Sequence, residues 1–170
     1  YQGLDVMLEA FARLCARRPK LHLLVVTSSD PRAFLTRVEG RDLTHRVSIV
    51  EHGTFVDALA RISEFDVALV PRSTPGGFPI KLMSYLAAGR PVVATTVGTA
   101  GLELDDVVTV VPTEDPEAMS MAIAGLLDAP EVARRRGARG RALVEQTFSW
   151  DRCCEILEAQ LGSVVPAFGD

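Results

Sequence analysis

The chain has 170 residues, with 18 Lys plus Arg against 22 Asp plus Glu and a formal charge of −4. That length suits one domain of about 150 residues, or at most two small ones. Its 48% apolar content supplies a real core and excludes disorder. No apolar run approaches the roughly 18 residues of a membrane helix, no charged–apolar–small signal pattern is seen, and mild acidity speaks against a nucleic-acid partner. Cys15, Cys153 and Cys154 are too few and wrongly spaced for a disulfide framework or a zinc site. A reducing, cytoplasmic setting is therefore expected. Only Lys20 and Lys81 are lysines; the other 16 basic residues are Arg. This reads first as genome composition, and it draws attention to Lys81.

Residues 4–17 carry Leu4, Met7, Leu8, Phe11, Leu14 and Cys15 at helical spacing, and Pro19 ends that run. Residues 21–26 are a short, nearly continuous apolar strand, as in a sheet covered on both faces. Asp30-Pro31 starts a helix by the N-cap and N1-proline rule, and Gly40 stops it. Residues 47–50 form the next strand. Thr54 with Asp57 three residues on resembles a capping box and opens a helix to about residue 63. Residues 66–70 are a third, buried strand, followed by a loop over 71–77. A helix over 79–88 stops at Gly89. Strands follow at 91–95 and 107–111. Asp115-Pro116-Glu117 starts a helix to residue 127, Pro130-Glu131 starts another, and Ser149-Trp150-Asp151 a last one. Strands separated by helices predict βαβ units. Right-handed crossovers then give a Rossmann-like, doubly wound parallel sheet of about five strands with helices on both faces. The last three helices pack on the sheet edge or extend beyond it.

Ligands of such sheets bind outside the carboxyl ends of the strands. The loops to read are therefore 27–30, 51–54, 71–78 and 96–102, all expected on one edge. In the longest, Gly76 and Gly77 permit close approach to a ligand and lead through Phe78 and Pro79 straight into a helix. A helix start beneath a glycine loop is an anion site; the plain alternative is a glycine turn with a proline helix start. Lys81 and Ser84, three apart, share one helix face. A cation at a helix start is unfavourable unless an anion sits there, the alternative being simple exposure. Gly53 lets a flat base lie on the backbone, while Thr54 caps its helix. His52 offers an imidazole for acid–base work and is equally read as structural. Glu103, Asp105 and Asp106 suit either a sugar hydroxyl or a solvated turn. No Walker loop, G-x-G-x-x-G, G-x-S-x-G or metal-ligand cluster occurs. Arg134, Arg135, Arg136, Arg139 and Arg141 read as a solvated face weakened by Gly137 and Gly140, or as an anionic-membrane contact.

The strings GLDVMLEAF (3–11), FPIKLMSYLAAGRPVVA (78–94), DPEAM (115–119) and FSW (148–150) occur in this order. Together they resemble the C-terminal domain of group 1, family 4-type glycosyltransferases of the GT-B fold. The likeness covers nearly the whole chain, and 78–94 is its most specific block. The resemblance implies one half of a GT-B fold that binds a nucleotide-diphosphate sugar and works with an N-terminal acceptor domain of the same protein. It implies transfer to an acceptor hydroxyl, usually with retention of configuration, with neither metal nor cofactor. The acceptor is an unspecified glycan, lipid-linked or small molecule, and a lipid-linked one would place the enzyme at the inner membrane face. The loop reading and the resemblance together put the donor against Gly53, Thr54, Gly76, Gly77, Phe78, Pro79, Lys81 and Ser84, with no catalytic residue assigned. The family's first strand, expected before Gly3, and its Arg…Lys pair are not in this chain, and Gln2 stands near the Lys position. The family's two motif glutamates fall at Gly76 and Ser84. That substitution makes a non-catalytic sugar-nucleotide-binding module, or a degenerate pseudo-enzyme, the alternative.

Overall fold

The computed structural model describes residues 2–51, 53–99, 101–104 and 106–164. Helix α1 (Leu4–Cys15) leads into strand β1 (Leu23–Thr27), helix α2 (Arg32–Glu39) and strand β2 (Val47–Glu51). Helix α3 (Phe55–Ile62), strand β3 (Ala68–Val70), helix α4 (Ile80–Ala87) and strand β4 (Val92–Thr95) follow. Strand β5 (Val108–Val111) and helices α5 (Pro116–Asp128), α6 (Pro130–Thr147) and α7 (Trp150–Val164) complete the order.

All pairings are parallel, as the alternation of strands and helices predicts. The strands form two ladders, β1-β2 and β3-β4-β5, where a single sheet was expected. α1 bridges them. Its Met7, Leu8 and Phe11 pack with Phe34, Val38 and Leu43, against the side chains of Leu23, Val25 and Leu69. Its Ala10 and Leu14 pack with Val93, Val111, Met119 and Ile123. The side chains of β4 alternate across the sheet, as a pleated strand requires. Val92 and Ala94 meet Leu82 and Leu86 of α4 on one face, and Val93 meets α1 and α5 on the other. β4 is buried along its length, whereas every residue of β1 is only half-buried.

Gly3 precedes α1 at φ 61°, and a Cβ there would lie 1.6 Å from the Pro71 carbonyl oxygen. Only glycine lets the start of α1 sit on the end of β3. Asp5, in the first turn of α1, accepts from both Arg37 and Arg41, and the Arg37 hydrogen bond holds its carboxyl below the usual range. The Thr54–Asp57 capping box forms in full, with both backbone bonds present. α2 begins at Arg32 with Pro31 at its N-cap, one residue later than the sequence suggests. Asp30 still serves that turn, accepting from the Arg32 N–H at 3.0 Å.

α6 runs unbroken for 18 residues, against the expectation that two glycines weaken it. A Cβ on Gly137 would stand 2.1 Å from the Gly89 oxygen, and one on Gly140 would stand 2.7 Å from Leu86 Cδ2. These glycines are the surface on which α6 packs against α4. The arginine cluster of α6 is not one solvated face either. Arg136 is half-buried and donates to the Val108 carbonyl and the Thr109 hydroxyl. Arg134 and Arg141 pair with Glu131 and Glu145. Among the described residues, no helix is long and apolar enough to cross a membrane.

Candidate functional site

The carboxyl ends of β3 and β4 open into a cavity of 540 Å³. One wall is the loop after β3, with Pro75, Gly76, Gly77 and Phe78; the other is the turn after β4, with Thr96, Val97, Gly101 and Leu102. Two segments far apart in sequence meet there because β3 and β4 are adjacent and parallel, so both release their chains at the same edge. Gly77 takes φ 33°, a left-handed conformation that side chains disfavour. A Cβ at Gly76 would meet only a guanidinium nitrogen of Arg72, at 3.8 Å. Arg72 donates to the Gly77 carbonyl at 3.2 Å, holding the loop's tip. Phe78 is 54% exposed, and its ring lies 6.0 Å from that of Phe148, at the junction of α6 and α7.

The loop runs directly into α4. The backbone N–H groups of Gly76, Gly77, Phe78 and Lys81 have no acceptor among the described residues, and all four residues are exposed. Pro79 is buried, serves as the N-cap of α4 and has no N–H to offer. Lys81 is exposed on the first turn, with Nζ 3.5 Å from Gln2 Oε1. Its ammonium therefore stands where α1 begins, where the helix dipole of α4 calls for a negative partner. Ser84 is half-buried, and its hydroxyl donates to the Ile80 carbonyl at 3.0 Å. That bond spends the hydroxyl's proton and leaves its lone pairs. Leu82 and Leu86 are wholly buried and Tyr85 packs edge-on to Phe65, as the helical spacing predicts.

Not every predicted residue joins this cavity. Gly76, Gly77 and Phe78 line it, while Pro79, Lys81 and Ser84 stand on the helix that follows. Gly53 borders a separate depression of 380 Å³ with Val50, Glu51, Asp57, Ala60, Arg61 and Glu64. Thr54 is occupied by its capping box. His52 and Asp105 lie outside the described residues. Glu103 and Asp106 are exposed. The second wall falls in loop 96–102, one of the four loops expected on this edge, but none of its residues was assigned to the donor. A small-residue loop after a strand signals flexibility, but its partner across the cavity depends on strand order.

The second wall is held by threonines. Thr95, the last residue of β4, is 0% exposed. Its hydroxyl donates to the Arg72 carbonyl at 2.6 Å and accepts from the Gly98 N–H at 3.1 Å. Thr96 and Thr113 share a hydrogen bond of 2.8 Å, and the Val97 N–H donates to Thr113 Oγ1 at 3.4 Å.

A family model described as glycosyl transferases group 1 matches residues 1–129. The D-inositol 3-phosphate glycosyltransferase of Saccharomonospora viridis is 34% identical over 167 residues, covering 90% of this chain and 38% of that protein. The GDP-mannose-dependent monoacylated alpha-(1-6)-phosphatidylinositol monomannoside mannosyltransferase of Corynebacterium glutamicum is 29% identical over 170 residues, covering 94% of this chain and 44% of that one. Among solved structures, sucrose-phosphate synthase from Thermosynechococcus elongatus matches with a TM-score of 0.82 at 26% identity, over 96% of this chain and 43% of that one. The chain thus spans less than half the length of each of these proteins.

Proposed function

The chain belongs to the group 1 glycosyl transferases, and on that premise we propose that it is the donor-binding half of an enzyme moving a sugar from a nucleotide-diphosphate sugar to an acceptor hydroxyl. The observation that carries this reading is the row of exposed N–H groups at Gly76, Gly77, Phe78 and Lys81, without acceptors among the described residues, beside the Lys81 ammonium. When the bond between the anomeric carbon and the diphosphate breaks, negative charge grows on the departing phosphate. Fixed N–H groups, a helix N-terminus and a cation are the groups that stabilise such charge, and they need no reorganisation to do so. Phe78, Val97 and Leu102 supply an apolar wall for a ring, as ligand sites commonly do. The free lone pairs of Ser84 accept from a ribose hydroxyl, with less strength than a carboxylate in that place. Gly53 leaves its backbone open to a base.

The names of the two relatives support the donor and acceptor classes: one depends on GDP-mannose, and both carry an inositol-containing acceptor in their names. For this protein we extend the proposal to a small-molecule or lipid-linked acceptor, held mostly by an N-terminal domain of the same polypeptide. Retention of configuration and independence of metal and cofactor rest on the resemblance alone. The two ladders support the domain reading. β1 and β3 share a cluster under α1 without sharing a ladder, and β1 is only half-buried.

Titration calorimetry with GDP, UDP and ADP tests the donor reading. We expect one of the three to bind with Kd below about 1 mM, some −4 kcal/mol. No heat from any of them at millimolar concentration removes the donor site.

A further inference from the structure

We infer that Thr95 is a positioning residue for the donor site: its buried hydroxyl sets the distance between the two walls of the cavity. This inference rests on the donor-site reading above. The β3–β4 ladder ends with Val70 opposite Ala94. One step further, the Thr95 side chain takes over from the backbone, donating to the Arg72 carbonyl at 2.6 Å. The same oxygen accepts the Gly98 N–H at 3.1 Å. A hydroxyl has one proton and two lone pairs, so both bonds form at once. The first holds the loop that carries Gly76, Gly77 and Phe78. The second holds the turn that carries Thr96 and Val97. Arg72 then passes the restraint to the loop tip through its bond to the Gly77 carbonyl.

Packing leaves this arrangement no slack. A Cβ on Gly98 would lie 2.7 Å from the Val70 carbonyl oxygen and 3.1 Å from Thr95 Oγ1, so the turn is pressed against the end of β3. Thr95 is fully buried, which means water cannot replace its bonds if the hydroxyl is lost. Thr95 is not among the residues that line the cavity. Its effect on a ligand therefore passes through the backbone it holds, and small displacements of positioned groups are costly to binding.

The test uses the full-length protein and three variants: Thr95→Val, which keeps the shape and removes the hydroxyl; Thr95→Ser, which keeps the hydroxyl and removes a methyl; and Thr95→Cys. Calorimetric Kd is measured for whichever of GDP, UDP and ADP binds the wild type most tightly, and Tm is measured alongside. Thr95→Val is expected to weaken binding about tenfold. Thr95→Ser should stay within about twofold of wild type in Kd although its Tm falls with the lost methyl. Stability lost without affinity lost, in the serine variant alone, is a pattern that a merely structural residue does not produce. If Thr95→Val does not fold, Thr95→Cys decides, since a thiol is a weak donor and acceptor of similar size; several-fold weakening supports the inference. Wild-type affinity in the valine variant, or in the cysteine variant where it decides, overturns it. So does a serine variant weakened as much as the valine one. A wild type that binds none of the three nucleotides sinks the donor-site reading itself, an outcome distinct from all of these.

Discussion

Lys81 shows how a residue's meaning depends on its surroundings. A cation on the first turn of a helix opposes the helix dipole, and here it stands beside backbone N–H groups that have no acceptor among the described residues. A diphosphate satisfies both at once. Lys81→Ala is therefore expected to weaken nucleoside diphosphate binding about tenfold, the size of one charge-assisted hydrogen bond. Its Tm should stay within a degree or two of wild type, because Lys81 is exposed and its contact with Gln2 is long. Unchanged affinity in calorimetry would take Lys81 out of the phosphate site. Ser84 presents the reverse case. Its spacing puts it on the face of Lys81, yet its proton is already given to Ile80, so it can only receive a hydrogen bond from a ligand.

At the scale of elements, the contact of α4 with α6 orients the start of α4. The bare backbone at Gly137 meets Gly89, and Gly140 receives Leu86, which is wholly buried. Gly137→Ala would drive a methyl into the Gly89 carbonyl and force the helices apart. Overpacking of this kind costs about 1–3 kcal/mol, outweighing the gain of roughly 1 kcal/mol in helix propensity that alanine brings over glycine. Chemical denaturation should show a lower midpoint at an unchanged slope; a stabilised variant would mean that the glycines only happen to lie at the contact. The site shares this dependence, since the same α4 carries Lys81 in its first turn, Ser84 midway and Leu86 near its end.

At the scale of the whole molecule, one ladder of two strands and one of three are joined by α1 and by the clusters it enters. α7 lies outside this core, with Trp150 85% exposed and Ile156, Leu157 and Leu161 open as well. The cavity is lined by the loops after β3 and β4 alone, which under the proposed function is the donor half of a two-part site. The expected outcome is that residues 1–170 alone bind nucleotide and transfer no radiolabelled sugar. The full-length protein should transfer it equally well with and without a chelator. Transfer that stops on chelation would overturn metal independence, and transfer by the isolated chain would overturn the division of labour between two halves.

Much of this was legible locally. Thr54 with Asp57, Asp115 before Pro116, and the alternation of short apolar runs with helical spacing each report forces acting within a few residues, so the elements and their parallel order could be read along the chain. The glycine loop before α4 and the placement of Lys81 could be read the same way, because a helix start and its dipole are properties of one segment. Other features exist only between segments. Gly137 and Gly140 look like weak points in a helix until Gly89 and Leu86 are brought against them. Arg136 looks like one more surface charge until β5 offers it a carbonyl. Thr95 looks like the ordinary end of a strand until the neighbouring strand delivers the Arg72 carbonyl to its hydroxyl. The sequence by itself therefore determined the elements, their parallel sense and the glycine loop that lines the cavity. The tertiary structure alone decided which second loop closes the cavity, how the strands divide into ladders and which buried hydroxyl holds the walls, because those depend on packing between residues that no local pattern links.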